Sequence, residues 1–140
     1  MTEEVQMNEN QVRLFTVDEA NQLIPVLTEL IQELQEKRDL IAKFEVEIDT
    51  LELVSDCDKN SGAQEFERLI ARHRQAIDRF YSIVETIHSH DCFLKDVDLG
   101  LIDFYGVIDG QVIFLCWRVG EEKINFWHHV TEGYSGREPL

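Results

Sequence analysis

No run of eighteen apolar residues occurs in this 140-residue chain, and no basic segment followed by an apolar one opens it. Neither a membrane-spanning helix nor a signal peptide is therefore expected, and the expected compartment is the cytoplasm. Basic charge is scarce: 13 Lys and Arg face 28 Asp and Glu, for a net charge of −15. The deficit runs along the whole chain, with 19 acidic and 9 basic residues up to His90 and 9 and 4 after it. No basic face is segregated, which argues against nucleic acid or an anionic membrane as partner, because phosphate neutralisation needs clustered Lys and Arg. The acidic excess reads as a solvated surface. Cysteine is limited to Cys57, Cys92 and Cys116, an odd number without a CxxC pair. Reduced thiols fit this pattern better than a disulfide framework. A Gly-rich phosphate loop, a Gly-x-Ser-x-Gly elbow and a His-Glu-x-x-His run are all missing, so several enzyme classes lose their usual support and no cofactor is expected.

What is present is 44% hydrophobic and 29% charged residues, enough for one domain with a core. Residues 1–11 are polar and without period, and are expected to form a disordered lead into a single domain over 12–140. Thr16-Val17-Asp18-Glu19 has the spacing of a capping box, which predicts a helix start. Pro25 follows two turns later, so either a kink or a handover between two helices is expected there. Leu23, Leu27, Leu30, Leu34, Lys37, Ile41, Phe44, Ile48 and Leu51 then step by four and three, the pattern of a lengthwise helix seam. Ile24, Ile31, Leu40 and Val46 lie beside that seam and need cover of their own, each worth about 1.5 to 3 kcal/mol if buried. The cluster from Leu53 to Gly62 reads as a turn, with Ser61 as cap of a second helix. Phe66, Ile70, His73, Ile77, Phe80, Val84 and Ile87 carry the matching seam to about His90. The 12–90 segment thus predicts an antiparallel helical hairpin, with Leu27, Leu30, Leu34, Ile41, Phe44, Ile70, Ile77 and Phe80 as its interface.

Residues 91–140 change to the period of strands. A short strand is expected at Phe93-Leu94, then Leu101 to Ile108, an Asp109-Gly110 hairpin turn, Gln111 to Arg118, and Ile124 to Val130. The two-residue turn sets Ile108 opposite Gln111 and Asp103 opposite Cys116. Ile102, Phe104, Ile113, Leu115 and Trp117 then share a core face, to which Ile124, Phe126, His128 and Val130 are expected to add. The other face collects Asp103, Tyr105, Phe114, Cys116, Arg118, Asn125, Trp127 and His129. The fold class is α+β, a long helical hairpin followed by an antiparallel sheet of three or four strands.

Several stretches carry a resemblance to a known family: Arg13-Leu14-Phe15-Thr16-Val17-Asp18-Glu19-Ala20-Asn21, Gly100-Leu101-Ile102-Asp103-Phe104, Leu115-Cys116-Trp117-Arg118-Val119-Gly120-Glu121, Trp127-His128, and the ending Gly133-Tyr134-Ser135-Gly136-Arg137-Glu138-Pro139-Leu140. From Leu14 to Leu140 the chain resembles the bacterial family catalogued as domain of unknown function 2203. The resemblance implies a small cytoplasmic bacterial protein and brings no catalytic residues with it. The chain departs from the family pattern at Tyr105, where proline is expected, and at His129, where an acidic residue is expected. The His88-Ser89-His90-Asp91-Cys92 cluster has no counterpart in the pattern.

Two places offer chemistry. His88, His90 and Cys92, with Cys116, supply zinc-ligand types, but residues two apart on a helix do not face each other, so a polar helix end is the simpler account. Asp103, Tyr105, Cys116, Trp127 and His129 form the candidate site face, with Cys116 as thiol and His129 or His128 as base. A carboxylate beside a thiol disfavours the thiolate, so a buried structural cysteine is the simpler reading there. His128 is expected to be structural, bonded to a backbone group or to Glu121, and Arg137 to pair with Glu121 or Asp103 and pin the tail. The function expected from sequence is a non-catalytic interaction or scaffold module that self-associates through its helices, a dimer being favoured, with other proteins as further partners. The alternative is a small enzyme or metal-binding protein using the outer sheet face.

Overall fold

In the computed structural model, residues 12–55 and 62–140 are described; the expected lead over 1–11, Cys57 and the expected cap Ser61 lie outside them. Among the described residues two helices precede one sheet, the expected α+β class. Helix α1 spans Val17–Ser55 and α2 spans Ala63–His88. They are followed by β1 (Phe93–Asp96), β2 (Leu101–Ile108), β3 (Gln111–Arg118), β4 (Phe126–His128) and β5 (Glu138–Pro139). Two compact units divide the chain: Leu30–Thr86, and the residues up to Glu29 together with Ile87–Leu140.

Helix α1 begins on the capping box. The Thr16 amide donates to Glu19 Oε1 at 2.8 Å and the Glu19 amide donates back to Thr16 Oγ1 at 3.1 Å, so two otherwise orphaned donors are satisfied. Pro25 lies inside one helix, so of the two expected alternatives the handover between helices does not occur. In the Leu30–Thr86 unit, α1 and α2 pack around Phe44, Ile48, Leu69 and Ala76, with Leu40, Ile41, Leu51, Phe66 and Ile70 against that cluster. Arg79 joins Glu33 through two bonds of 2.7 Å, and His73 Nε2 lies 3.3 Å from Glu45 Oε1, pairings that fix the antiparallel direction. Of the positions expected at the interface, Leu27, Leu34 and Phe44 are buried, while Leu30, Ile41, Ile70, Ile77 and Phe80 are half-buried. On α2 the expected Ile87 is buried, and Leu69, Ala76 and Ile83 are buried one residue before the expected Ile70, Ile77 and Val84, which are half-buried. Such apolar doublets present two equivalent stripes, so periodicity alone does not set the helix rotation.

In the other unit the five strands pair antiparallel in sequence order. The turn at Asp109 (φ 52°) and Gly110 (φ 77°) closes the expected hairpin, which holds Ile108 opposite Gln111, Asp103 opposite Cys116 and Ile102 opposite Trp117. Phe104 meets Phe15 edge-on, centroids 5.1 Å apart, and the Phe15 amide donates to the Tyr105 carbonyl at 2.7 Å. Gly106 lies opposite Ile113, and a Cβ there would press on Leu115 and the Phe15 carbonyl. The Ile124 amide donates to Asn21 Oδ1 at 2.7 Å, which fastens the loop after β3 to the first turns of α1. The sheet has one strand more than the four at most expected, because the tail returns as β5 beside β4.

The capping box accounts for where α1 begins. Thr16→Ala is expected to lower unfolding free energy by about 1 kcal/mol in urea denaturation, with Thr16→Ser close to wild type. An unchanged midpoint for the alanine variant would mean that tertiary contacts alone start the helix.

Candidate functional site

The strand β4 decides which side chains meet. His128 lies opposite Phe114, Trp127 opposite Leu115, and Phe126 opposite Cys116. Directly opposed residues of an antiparallel pair share a face. Phe126 and His128 therefore join Asp103, Tyr105, Phe114 and Cys116, while Trp127 sits on the Leu115 side. This reverses the expected assignment, in which His128 pointed to the core face and Trp127 and His129 shared the face of Asp103. The reason is a one-residue slip, which flips every side chain of a strand. Apolar alternation does not detect it here, because both faces of β3 are buried: Phe114, Leu115, Cys116 and Trp117 are all no more than 5% exposed.

On the face opposite Phe104 and Leu115, Asp103, Cys116 and His128 lie buried with one donor or acceptor atom from each within 4.8 Å of the others. His128 Nε2 is 3.0 Å from Asp103 Oδ2, and His128 Nδ1 is 2.8 Å from the carbonyl of His129. A carbonyl only accepts, so Nδ1 carries a hydrogen. The Nε2–Asp103 bond then has Nε2 either donating to the carboxylate or accepting from a protonated Asp103 carboxyl. The Cys116 thiol bonds to the same carboxylate. Burial raises the Asp103 pKa above the ordinary carboxylate value, against the downward pull of His128, Cys116 and Lys95. Burial first, and the Asp103 charge second, push the Cys116 thiol up to about 12.

Aromatic rings shield this cluster. Phe114 packs on His128 (5.5 Å), Tyr105 (4.5 Å) and Phe93 (6.2 Å), and Lys95 Nζ lies 4.5 Å from the Phe114 centroid. The tail covers the next stretch of the face. Arg137 Nη2 donates to both Glu121 oxygens at 2.7 and 2.9 Å and lies 3.4 Å from the Cys116 carbonyl. Its guanidinium stands 4.0 Å from the Phe126 centroid. Arg137 thus takes the first of its two expected partners, Glu121.

The other candidates lie elsewhere. Trp127 and His129 pack on each other, centroids 5.0 Å apart, rather than beside Asp103. Cys92 is buried with its Sγ 3.3 Å from the Ile87 carbonyl, and burial also pushes this thiol up to about 12. His88 Nε2 accepts from the Leu94 amide at 3.4 Å, and His90 is half-buried where α2 ends in a turn. Asp103, Cys116 and His128 are the one such cluster with metal-holding geometry among the described residues, and it includes none of His88, His90 and Cys92. Sequence reasoning placed Asp103 beside Cys116 and named His128 only as the alternative to His129 as base, with its side chain assigned to the opposite face. The missing signal was the β4 register, which the loop of residues 119–125 does not fix as a two-residue turn would.

The chain belongs to the family described as "Uncharacterized conserved protein (DUF2203)", whose model matches residues 13–140. No curated protein and no solved structure matches it. Among the described residues, no helix is long and apolar enough to cross a membrane.

An unfolded thiol ionises near pH 8.5, whereas Cys92 and Cys116 in the fold are held up to about 12. Ionisation thus favours the unfolded chain: the contribution of each thiol is intact below about pH 8.5 and falls away toward pH 12. Both residues are expected to resist iodoacetamide at pH 8 in the native protein and to react in denaturant, as read by peptide mass spectrometry. Alkylation of native Cys116 at the rate of a free thiol would overturn this account of the site.

Proposed function

We propose that the protein binds a divalent transition-metal ion of the zinc class through Asp103, Cys116 and His128. The observation that carries this reading is the direction of His128. With its hydrogen on Nδ1 committed to the His129 carbonyl, Nε2 faces the Asp103 carboxylate at 3.0 Å with the Cys116 thiol close by. A backbone carbonyl on the far nitrogen is the usual means of orienting a metal-ligating imidazole. Ligands at about 2.0 to 2.3 Å from tetrahedral zinc stand roughly 3.3 to 3.6 Å from one another, so the three groups need only small shifts to close on an ion. Carboxylate, thiolate and imidazole together suit zinc, cobalt or iron rather than magnesium or calcium. Three protein donors leave one position open, as in catalytic rather than closed structural zinc sites. Two free thiols among the described residues, Cys92 and Cys116, favour a reducing, cytoplasmic setting.

Because the thiol must lose its proton to bind, metal affinity is expected to rise with pH across the neutral range. Protein purified without an affinity tag is expected to hold close to one zinc per chain by elemental analysis. Cobalt exchange should give a sulfur-to-metal charge-transfer band that Cys116→Ala removes and that Cys92→Ala keeps. Absence of metal from the purified protein, with no uptake at micromolar zinc, would reduce the cluster to a hydrogen-bonded structural triad.

A second reading, self-association through the helices, is supported by the Leu30–Thr86 unit. Val46, Leu53 and Val54 are 65%, 76% and 56% exposed, and Val46, Leu51 and Leu69 line a groove of about 420 Å³ with Arg68 and Arg72. Sedimentation equilibrium is expected to give a dimer that Val46→Glu weakens; a monomer at high micromolar concentration would sink this reading.

A further inference from the structure

Beyond the buried cluster, the same sheet face carries a second group of chemically capable side chains. Arg118 follows Cys116 by two residues on β3, so both project from one face, about 7 Å apart along the strand. The tail brings Tyr134 to it: Arg118 Nη1 donates to the phenol oxygen at 3.0 Å, with the guanidinium carbon 5.8 Å from the ring. Arg137 lies 4.8 Å from the other ring of this stack, Tyr134, while resting on Phe126. Two guanidinium groups thus converge on one phenol in a chain of net charge −15.

Their charges are treated unequally. Arg137 is spoken for by Glu121, whose Oε1 also accepts the Arg118 backbone amide at 2.7 Å. Among the described residues the Arg118 guanidinium has only the phenol as acceptor, and no carboxylate pairs with it. Arg118 is half-buried and Tyr134 is 37% exposed, so this end of the group can be reached from solvent. Arg137 Nε is buried, in a side chain only 10% exposed, and has no hydrogen-bond partner among the described residues. An unmet donor in that position is costly, and a nearby negative charge lowers the cost.

We propose that Arg118 and Tyr134, backed by Arg137, form a binding site for a small oxyanion, the carboxylate or phosphate group of a ligand, next to the Asp103–Cys116–His128 cluster. The guanidinium fork of Arg118 matches two oxygens of such a group, and the Tyr134 hydroxyl turns from acceptor to donor for a third contact. The site is independent of metal, since none of its residues belongs to the cluster.

The test uses full-length protein stripped of metal with chelator and titrated calorimetrically with inorganic phosphate and, separately, with acetate, each against sodium chloride at equal ionic strength. Binding in the millimolar range or tighter is expected for at least one of them, and the tighter of the two identifies the group. Arg118→Gln is expected to weaken it at least tenfold and Tyr134→Phe several-fold. A second readout is the ionisation of Tyr134, followed by tyrosinate absorbance as the difference between wild type and Tyr134→Phe. The Arg118 bond lowers the pH of that ionisation, and the bound anion should raise it. No heat beyond that of chloride, or unchanged binding in a folded Arg118→Gln variant, would overturn the proposal. Zinc uptake by Arg118→Gln is scored in parallel, so failure here and failure of the metal reading are told apart.

Discussion

The second face of the sheet depends on keeping one carboxylate out of water. Asp103 is 3% exposed, and removing such a group from solvent costs several kcal/mol unless charge and hydrogen bonds answer it. His128 and the Cys116 thiol supply those bonds, and Lys95 adds its charge from over the Phe114 ring. The pairing of β4 with β3 follows from this need. Shifted by one residue so that Trp127 stands where His128 does, the strand would offer Asp103 no imidazole nitrogen and leave the carboxylate uncompensated. A strand of three residues has few ladder bonds with which to choose its register. The buried polar contact therefore favours the observed register over the one that places Trp127 there.

That dependence also explains which parts of the fold were legible. The start of α1 was readable because a capping box is local: Thr16 and Glu19 satisfy each other whatever lies beyond. The β2–β3 register was readable because the Asp109-Gly110 turn is short and both residues take positive φ, which leaves one way to pair the flanks. From that followed the juxtaposition of Asp103 and Cys116. The rotation of α2 was not readable, since Leu69-Ile70, Ala76-Ile77 and Ile83-Val84 offer two apolar stripes one residue apart. The third member of the site was hidden for a similar reason. Where Phe114 and Leu115 are both buried, hydrophobic alternation stops separating inside from outside, and His128 and Trp127 exchange roles.

The tail gains its order from pairing as well as from charge. Trp127 lies opposite Glu138, Phe126 opposite Pro139, and the Leu140 amide donates to the Asn125 carbonyl at 2.8 Å. Between these strands the turn Tyr134–Gly136 must pass close to Glu132, and a Cβ at Gly136 would collide with that side chain. Glycine there lets Tyr134 and Arg137 reach the face of Phe126 together.

Glu121 then ties the two sides of the sheet to one turn. Its carbonyl accepts from Trp117 Nε1 at 2.9 Å, holding a fully buried indole on the face of Phe104 and Leu115. Its carboxylate accepts the Arg118 amide and the Arg137 guanidinium, which serve the opposite face. Gly120, at φ 101°, permits the reversal that places both groups of one residue in reach. Core packing on one side and the position of Arg137 over Phe126 on the other are therefore set by the same four-residue turn. The buried cluster inherits its surroundings from that turn, because Arg137 is the group that closes over the Cys116 backbone. Charge placed by Glu121 fixes where the tail lies, and the tail in turn covers the face beside Cys116, which is 1% exposed.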